Sequence, residues 1–319
     1  MERIVTLGEA MLRLTPSPGE RLRNATRLQA FVAGAEANVA TALASLGVPV
    51  SWVSALPESP TGHRVAGALA AAGVGLDFVA WLGDARLGLF FAEQADPPRA
   101  SRVWYDRAGS AFAELSAVPP HALDDARIAM VSGITPALGE RGGAVVQSFT
   151  EAARSAGARL CVDVNYRASL WSAAQARDGL AELIAASDIV VCSARDAKLV
   201  FGVSDAGPDA AHDLARRWAP QAEIVVLTRG DRGAVLVSDG RVVEHPAVPT
   251  HVVDRFGAGD ALVAGLLWAL WHGYDHDYAL RAGLMLASLK CTTFGDTAQF
   301  SAEELTTALA VDPEVAIQR

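Results

Sequence analysis

The residues with the clearest chemical potential are Asp254-Arg255-Phe256-Gly257-Ala258-Gly259-Asp260, which run straight into the apolar segment Ala261 to Leu270. Two glycines one residue apart at a helix start allow a tight turn, and the free N–H groups of the first helical turn then face whatever lies ahead of them. The N–H groups of about residues 257 to 260 would form an anion hole. Asp260 places a carboxylate in that same turn, where it would repel a phosphate unless it accepts a proton from a group beside that phosphate. The combination points to phosphoryl transfer, with Asp260 as general base and Gly257, Ala258 and Gly259 as the anion hole. Taken alone, the loop reads equally well as a tight turn capped by an aspartate.

Three more loops sit where strands are expected to end. Asp163-Val164-Asn165-Tyr166-Arg167 closes a strand over Arg159 to Val164, and its arginine can fork onto a carboxylate or phosphate or form a surface ion pair. Ser193-Ala194-Arg195-Asp196 follows a strand over Ile189 to Cys192. There Asp196 can hold Mg2+ through water, since that ion keeps most of its hydration shell, or simply supply the acidic first turn of a capped helix. Thr228-Arg229-Gly230-Asp231-Arg232-Gly233 follows a strand over Ile224 to Thr228 and can carry nucleotide phosphates or merely turn into a hairpin. No glycine is followed by lysine and no G-x-G-x-x-G follows the first strand, so neither a Walker-type loop nor a dinucleotide fingerprint is present. His272 and His276 lack an acidic partner, with Gly273 between them, and read as a polar helix end.

The elements that must position these loops alternate. Strands are expected at Ile4 to Gly8, Val50 to Ala55, Phe78 to Trp81 and Ile128 to Ser132, in addition to the three above. Helices are expected from Ala33 to Leu46, Thr61 to Ala72, near Gly143 to Ala156, Leu180 to Ala186 and Asp209 to Trp218, then after Asp260, over Tyr278 to Thr292 and over Ala302 to Ala310, beyond which the tail frays. Apolar strands alternating with helices imply a parallel sheet covered on both faces, whose ligands bind at the carboxyl ends of the strands. Two pieces fall outside the alternation. Met11 to Leu14 and Gln29 to Val32 read as half-exposed strands, and Gly88 to Gln94 with Arg102 to Tyr105 as a hairpin across Ala95-Asp96-Pro97-Pro98-Arg99. Val235 to Ser238 and Arg241 to Glu244 form a hairpin around Asp239-Gly240.

With 27 basic against 36 acidic residues among 319, the chain carries −9, which argues against a nucleic-acid or anionic-membrane surface. Only Lys198 and Lys290 are lysines. Cys161, Cys192 and Cys291 have no metal-type spacing and read as buried, reduced thiols of a cytoplasmic protein. The first residues read as a strand rather than a signal peptide, and no apolar run approaches the ~18 residues that cross a bilayer.

Gly34-Ala35-Glu36-Ala37-Asn38 and Asp254 to Asp260 resemble the two signatures of ribokinase-type (pfkB-type) carbohydrate kinases. Ser132 to Leu138, Asp163 to Arg167 with Leu170-Trp171, and Tyr105-Asp106-Arg107 with Gly109-Ser110-Ala111 resemble the 2-keto-3-deoxygluconate kinases among them. The resemblance implies a ribokinase-like, Rossmann-type doubly wound α/β domain (1–12, 33–86 and 112–319) with a small β-sheet lid (13–32 and 87–111), and a homo-oligomer formed through that lid. It implies transfer from ATP, with Mg2+, to the C6 hydroxyl of 2-keto-3-deoxygluconate, and leaves open a monovalent cation such as K+. By matched position Gly34, Asn38, Phe90, Tyr105, Arg107, Ile134, Arg167, Asp260 and Asp296 would surround the sugar acid, with Arg107 and Arg167 the natural partners of its carboxylate. Asn165, Ser193, Thr228, Gly230, Gly233, Gly257 and Gly259 would surround ATP. Another sugar kinase of the family, acting on fructose or ribose, or a non-catalytic sugar-binding regulator are the alternatives.

Three positions depart from the family's pattern. Arg255-Phe256 replaces the usual Thr-x of the second signature, Phe90 stands where a tyrosine is common, and Gly283 falls near where many relatives carry an asparagine beside the nucleotide. The loss of a hydroxyl at Phe90 bears on which sugar is accepted. The sequence does not assign Arg255-Phe256 to the nucleotide or to solvent.

Overall fold

The computed structural model describes residues 1–95, 98–203 and 207–310. Asp96-Pro97 of the expected hairpin turn and the fraying tail lie outside the described residues. A sheet of nine strands runs in the order β13-β12-β11-β10-β9-β8-β1-β4-β5, where β1 is Arg3–Leu7, β4 Val50–Pro57, β5 Val79–Leu82, β8 Ala126–Ser132, β9 Arg159–Asp163, β10 Ile189–Ser193, β11 Ile224–Thr228, β12 Ala234–Ser238 and β13 Arg241–His245. Neighbours are parallel from β5 to β11, and the hairpin β12-β13 adds the two antiparallel pairings at one edge. Asp239 and Gly240 both take positive φ in that hairpin's turn, the geometry an Asp-Gly pair favours.

The apolar strands serve two cores at once, because side chains alternate across the sheet. Ile4, Ile128, Val191 and Val226 face one layer with α1 (Ala35–Ser45), α2 (Pro60–Ala71), α7 (Ala258–Trp271), α8 (His276–Cys291) and α9 (Ala302–Ala310). Val5, Ala129, Val190 and Val225 face the other, with α3 (Glu140–Ala156), α4 (Ala173–Ala185), α5 (Ala194–Phe201) and α6 (Pro208–Trp218). This is the doubly wound α/β fold expected from the alternation.

Two helices differ from expectation. Ser172 and Gln175 form a reciprocal capping box that starts α4 at Ala173, well before Leu180. The side chain of Ser193 accepts the N–H of Asp196 and caps α5, the capped helix that was one of two expectations for this loop but had no place in the expected alternation. Gly283 lies buried where α7 crosses α8, and a Cβ there would stand 2.8 Å from the Leu262 carbonyl oxygen, so close helix contact accounts for a residue smaller than asparagine. Cys161 and Cys192 are buried as expected, whereas Cys291 is only partly buried at the end of α8.

The two pieces outside the alternation form a second sheet, in the order β3-β2-β6-β7, from β2 (Met11–Thr15), β3 (Gln29–Ala33), β6 (Leu89–Glu93) and β7 (Arg102–Asp106). Strands β2 and β3 extend past the 13–32 segment, to Met11 and Ala33. Met11, Ala33, Phe90 and Ala92 gather on one face of this sheet, with Val103 and Phe256 packed against them.

Candidate active site

The order of the large sheet turns back at β1, between β4 and β8, and the crevice at such a switch point is where this architecture binds ligands. Glu9 follows β1 and Ile134 follows β8 at that crevice. The apolar face of the second sheet stands across from them, and the first turns of α1 and α7 close the floor. Together they enclose a cavity of about 160 Å3. Its walls include all nine residues expected around a sugar acid: Gly34 and Asn38 from the start of α1, Phe90, Tyr105 and Arg107 from the second sheet and the end of its last strand, and Ile134, Arg167, Asp260 and Asp296 from loops and helix ends of the large sheet.

Asp260 lies in the first turn of α7, partly buried, and the side-chain amide of Asn38 donates to its Oδ2 at 2.7 Å. Burial pushes the Asp260 carboxyl above the usual carboxylate range, while the Asn38 bond, Arg167 and Lys290 pull it back. No side chain caps this helix. The N–H of Ala258 turns back to the Arg255 carbonyl at 3.3 Å, so within the expected anion hole that donor serves the turn itself. Gly257 has φ +80, and a Cβ on it would fall 1.8 Å from the Asp296 carbonyl oxygen. A Cβ on Gly259 would meet nothing within 4 Å.

The two candidate arginines differ in their surroundings. Arg107 donates through Nε to Oε2 of the buried Glu9 at 2.9 Å and through Nη2 to the same oxygen, so its charge is already balanced. Arg167 is exposed at the rim and has no salt bridge among the described residues. The cation free to meet a ligand carboxylate is therefore Arg167, and Arg107 comes as half of an ion pair. Glu9 Oε1 and Asn38 Oδ1, both of cavity-lining residues, are buried acceptors without a hydrogen bond. Buried acceptors of this kind suit a ligand rich in hydroxyl donors.

Several residues that hold the cavity walls together were not expected from the sequence. Arg13 is buried on β2 between the rings of Phe31 and Phe256, with its guanidinium carbon 4.8 and 4.7 Å from the two ring centres. It donates to both carboxylate oxygens of Asp254 and sits 3.1 Å from Oδ2 of Asp296. Asp254 also accepts from Gln94 and from the N–H groups of Phe256 and Gly295. Phe256 thus seals the second sheet onto the turn, while Arg255 is exposed. Burial is the main cause that pushes Asp296 up to about 7, with Arg13 opposing. Glu36 accepts from the Ser132 N–H at 2.9 Å and from the Thr135 hydroxyl, which fastens α1 to the end of β8. The available signals were periodic. Arg13 shares the alternating face of Met11 and Thr15, and Lys290 continues the buried helical stripe of Ala279, Ala282 and Leu286.

The residues expected around a nucleotide lie at the ends of three adjacent strands rather than in the cavity. Asn165 follows β9 with φ +39, Ser193 ends β10 as the cap of α5, and Thr228 ends β11. Gly230 and Gly233 bound the single 3-10 turn that leads to β12, and the missing Cβ of Gly233 would strike the His245 carbonyl, so the hairpin itself requires that glycine. Only Gly257 of this group also lines the cavity. Asp196 is buried in the first turn of α5. Asp163 is pushed up to about 8, first by burial and then by Asp260, with Arg167 opposing and Asp196 adding. No group of three metal-ligating side chains occurs among the described residues, and none of their helices is long and apolar enough to cross a membrane.

Comparison with known proteins agrees with this geometry. The family described as pfkB family carbohydrate kinase matches residues 1–303. A 2-dehydro-3-deoxygalactonokinase of Haloferax volcanii is 39% identical over 304 residues, covering 95% of each chain. The crystal structure of a 2-dehydro-3-deoxygluconokinase from Thermotoga maritima superposes with a TM-score of 0.90 at 30% identity, covering 97% of this chain and 98% of that one. An E. coli protein described as a candidate ribokinase II, in complex with ATP and Mg2+, shares the fold with a TM-score of 0.88 at 21% identity, over 97% of this chain and 99% of that one. On the strength of the matched residues 1–303, the chain belongs to the pfkB family of carbohydrate kinases.

Proposed function

We propose that this kinase transfers the γ-phosphoryl group of ATP to the terminal C6 hydroxyl of a 2-keto-3-deoxy sugar acid, giving the 6-phosphate and ADP. The observation that carries this reading is that a carboxylate at a helix start, Asp260, and a cation without a salt bridge among the described residues, Arg167, share one cavity that also holds buried acceptors without a hydrogen bond. The carboxylate of the sugar acid would meet Arg167, with the remaining N–H edge of Arg107 beside it, and the sugar hydroxyls would donate to Asn38 Oδ1 and Glu9 Oε1. Names of the relatives support both epimers, since the Haloferax protein is named a 2-dehydro-3-deoxygalactonokinase and the Thermotoga protein a 2-dehydro-3-deoxygluconokinase.

In the reaction the C6 oxygen bonds to the γ-phosphorus as its proton passes to Asp260, and the bond from that phosphorus to the β–γ bridging oxygen breaks to release ADP. Open N–H groups at the start of α7 steady the transferring group, and the open face of Gly259 leaves room for its approach. ATP would lie over the ends of β9, β10 and β11, beside Asn165, Ser193, Thr228 and Gly230. Mg2+ suits the carboxylates of the partly buried Asp163 and the buried Asp196, which repel each other, and would be held through water by Asp196; it would neutralise phosphate charge. The second sheet would act as a lid that excludes water, and its outer face, where Trp104 stands exposed, would pair with a second copy of the chain.

The test is a coupled ATP assay with 2-keto-3-deoxygluconate, its galactonate epimer, fructose and ribose. The sugar acids should give the highest kcat/KM. Preference for fructose or ribose would remove the carboxylate reading, and ATP consumption with none of the sugars would leave a sugar-binding regulator.

A further inference from the structure

Lys290 is fully buried in the last turn of α8, and its ammonium group donates to the backbone carbonyls of Asp254, at 2.9 Å, and Thr293, at 3.2 Å. Those carbonyls belong to the two segments that flank the anion-hole turn. Asp254 begins the signature, and the segment from Thr293 to Asp296 presses its backbone against Gly257. The Cys291 carbonyl accepts from the N–H groups of Val253 and Asp254, so the last turn of α8 holds the start of the signature through both this carbonyl and the Lys290 ammonium. We infer that Lys290 is a tethered cation that positions the anion-hole turn, and that this kinase therefore needs no monovalent metal ion.

The residues present do not fit a mobile monovalent cation. Such an ion needs a shell of converging oxygens to replace its water. Beneath the turn the Asp254 and Thr293 carbonyls already hold the ammonium, and the Asp254 carboxylate is taken by Arg13, Gln94 and two N–H groups. Charge is balanced as well, with Arg13 and Lys290 facing Asp254 and Asp296. Burial lowers the pKa of Lys290, while Asp254 and Asp296 push it back up and favour the charged form. An added metal ion would place a third positive charge against two carboxylates.

The inference rests on sugar phosphorylation as a class of reaction and not on which sugar is used. Initial rates are measured with whichever sugar the panel identifies, in Mg2+ and tetramethylammonium salts, with K+ replacing tetramethylammonium at constant ionic strength. The wild-type rate and melting temperature should not change, and a several-fold activation by K+ would overturn the inference. Lys290→Ser leaves a space lined by the same carbonyls. It should lose about 10²-fold in kcat, as displacement of a positioned group does. It should regain much of that loss, and melt at higher temperature, when K+ or NH4+ replaces tetramethylammonium. Lys290→Met fills the space and should be equally impaired without recovery. Absence of rescue in Lys290→Ser, or equal rescue of both variants, would overturn the positioning role. Melting requires no substrate, so this arm reads the inference even where the substrate assignment fails. If Lys290→Ser folds in no salt, the wild-type K+ titration alone decides.

Discussion

Asn38 donates its amide to Asp260 Oδ2 at 2.7 Å, which couples the first turn of α1 to the first turn of α7 at the base of the cavity. The bond favours the ionised carboxylate against the burial that raises its pKa. Asp260→Asn is expected to lower kcat by about 10²–10⁴, the contribution of a positioned base, with little change in ATP affinity. Asn38→Ala removes the opposing bond, so the pH at which kcat/KM begins to fall on the acid side should move upward. Near-normal turnover in Asp260→Asn would remove the base assignment.

The unequal surroundings of Arg107 and Arg167 give a contrast. Arg167→Met should raise KM for the sugar acid by roughly 10- to 100-fold, the worth of a charged hydrogen bond, with little effect on melting. Arg107→Met leaves Glu9 buried without its partner, so the first expected effect is a lower melting temperature. Restoration of that temperature by Glu9→Gln in the Arg107→Met background would identify the ion pair as its cause. Equal effects of both arginines on KM alone would contradict the structural distinction.

Arg13 joins the second sheet to the signature through Asp254 and Asp296. Removing one member of a buried ion pair costs about 3–5 kcal/mol, because the other charge stays buried. Arg13→Met is therefore expected to destabilise the protein strongly in urea denaturation, whereas Phe256→Leu, which keeps apolar cover over the pair, should cost less than ~1.5 kcal/mol.

These residues mark the boundary between what the sequence displayed and what it hid. Alternating strands and helices, and the glycines of the signature, report on local backbone physics, so the sheet, its two cores and the turn before α7 were legible. The cavity's walls were legible through family resemblance, since nothing in spacing alone brings Tyr105 near Asp260. Partnerships among charges were not legible. Arg107 reads as a free cation until Glu9 is seen against it, and Phe256 reads as a departure until Arg13 is found beneath its ring. Such pairs join residues far apart in the chain, as Arg13 and Asp254 do across 241 positions, and no local pattern encodes them.

Asp163 and Asp296 are pushed up to about 8 and about 7, chiefly by burial. The unfolded chain would ionise them near 3.8. Between those values the folded state binds more protons than the unfolded state, so these groups favour folding at low pH and lose that contribution as pH rises through 7 to 8. From their effect alone, melting temperature should decline steadily between pH 5 and 8 and level off above it. The Asp163→Asn variant should show a flatter profile, and an unchanged slope would exclude Asp163 as a source.

The two glycines of the turn are required for different reasons. Gly257 holds φ +80 with Asp296 against it, so Gly257→Ala must strain the backbone and displace the loop that carries a cavity wall. A loss of about 1–3 kcal/mol is expected in urea denaturation, together with lost activity. Gly259 lies inside the first turn of α7 with open space before it, and alanine is the better helix former there by about 1 kcal/mol. Gly259→Ala should thus melt at the same or a higher temperature, yet its methyl group would occupy the space proposed for the transferring phosphoryl group. The expected outcome is a fall in kcat of about 10²-fold without loss of stability, a pairing that packing alone cannot produce. Unaltered kcat in this variant would place the phosphoryl group elsewhere.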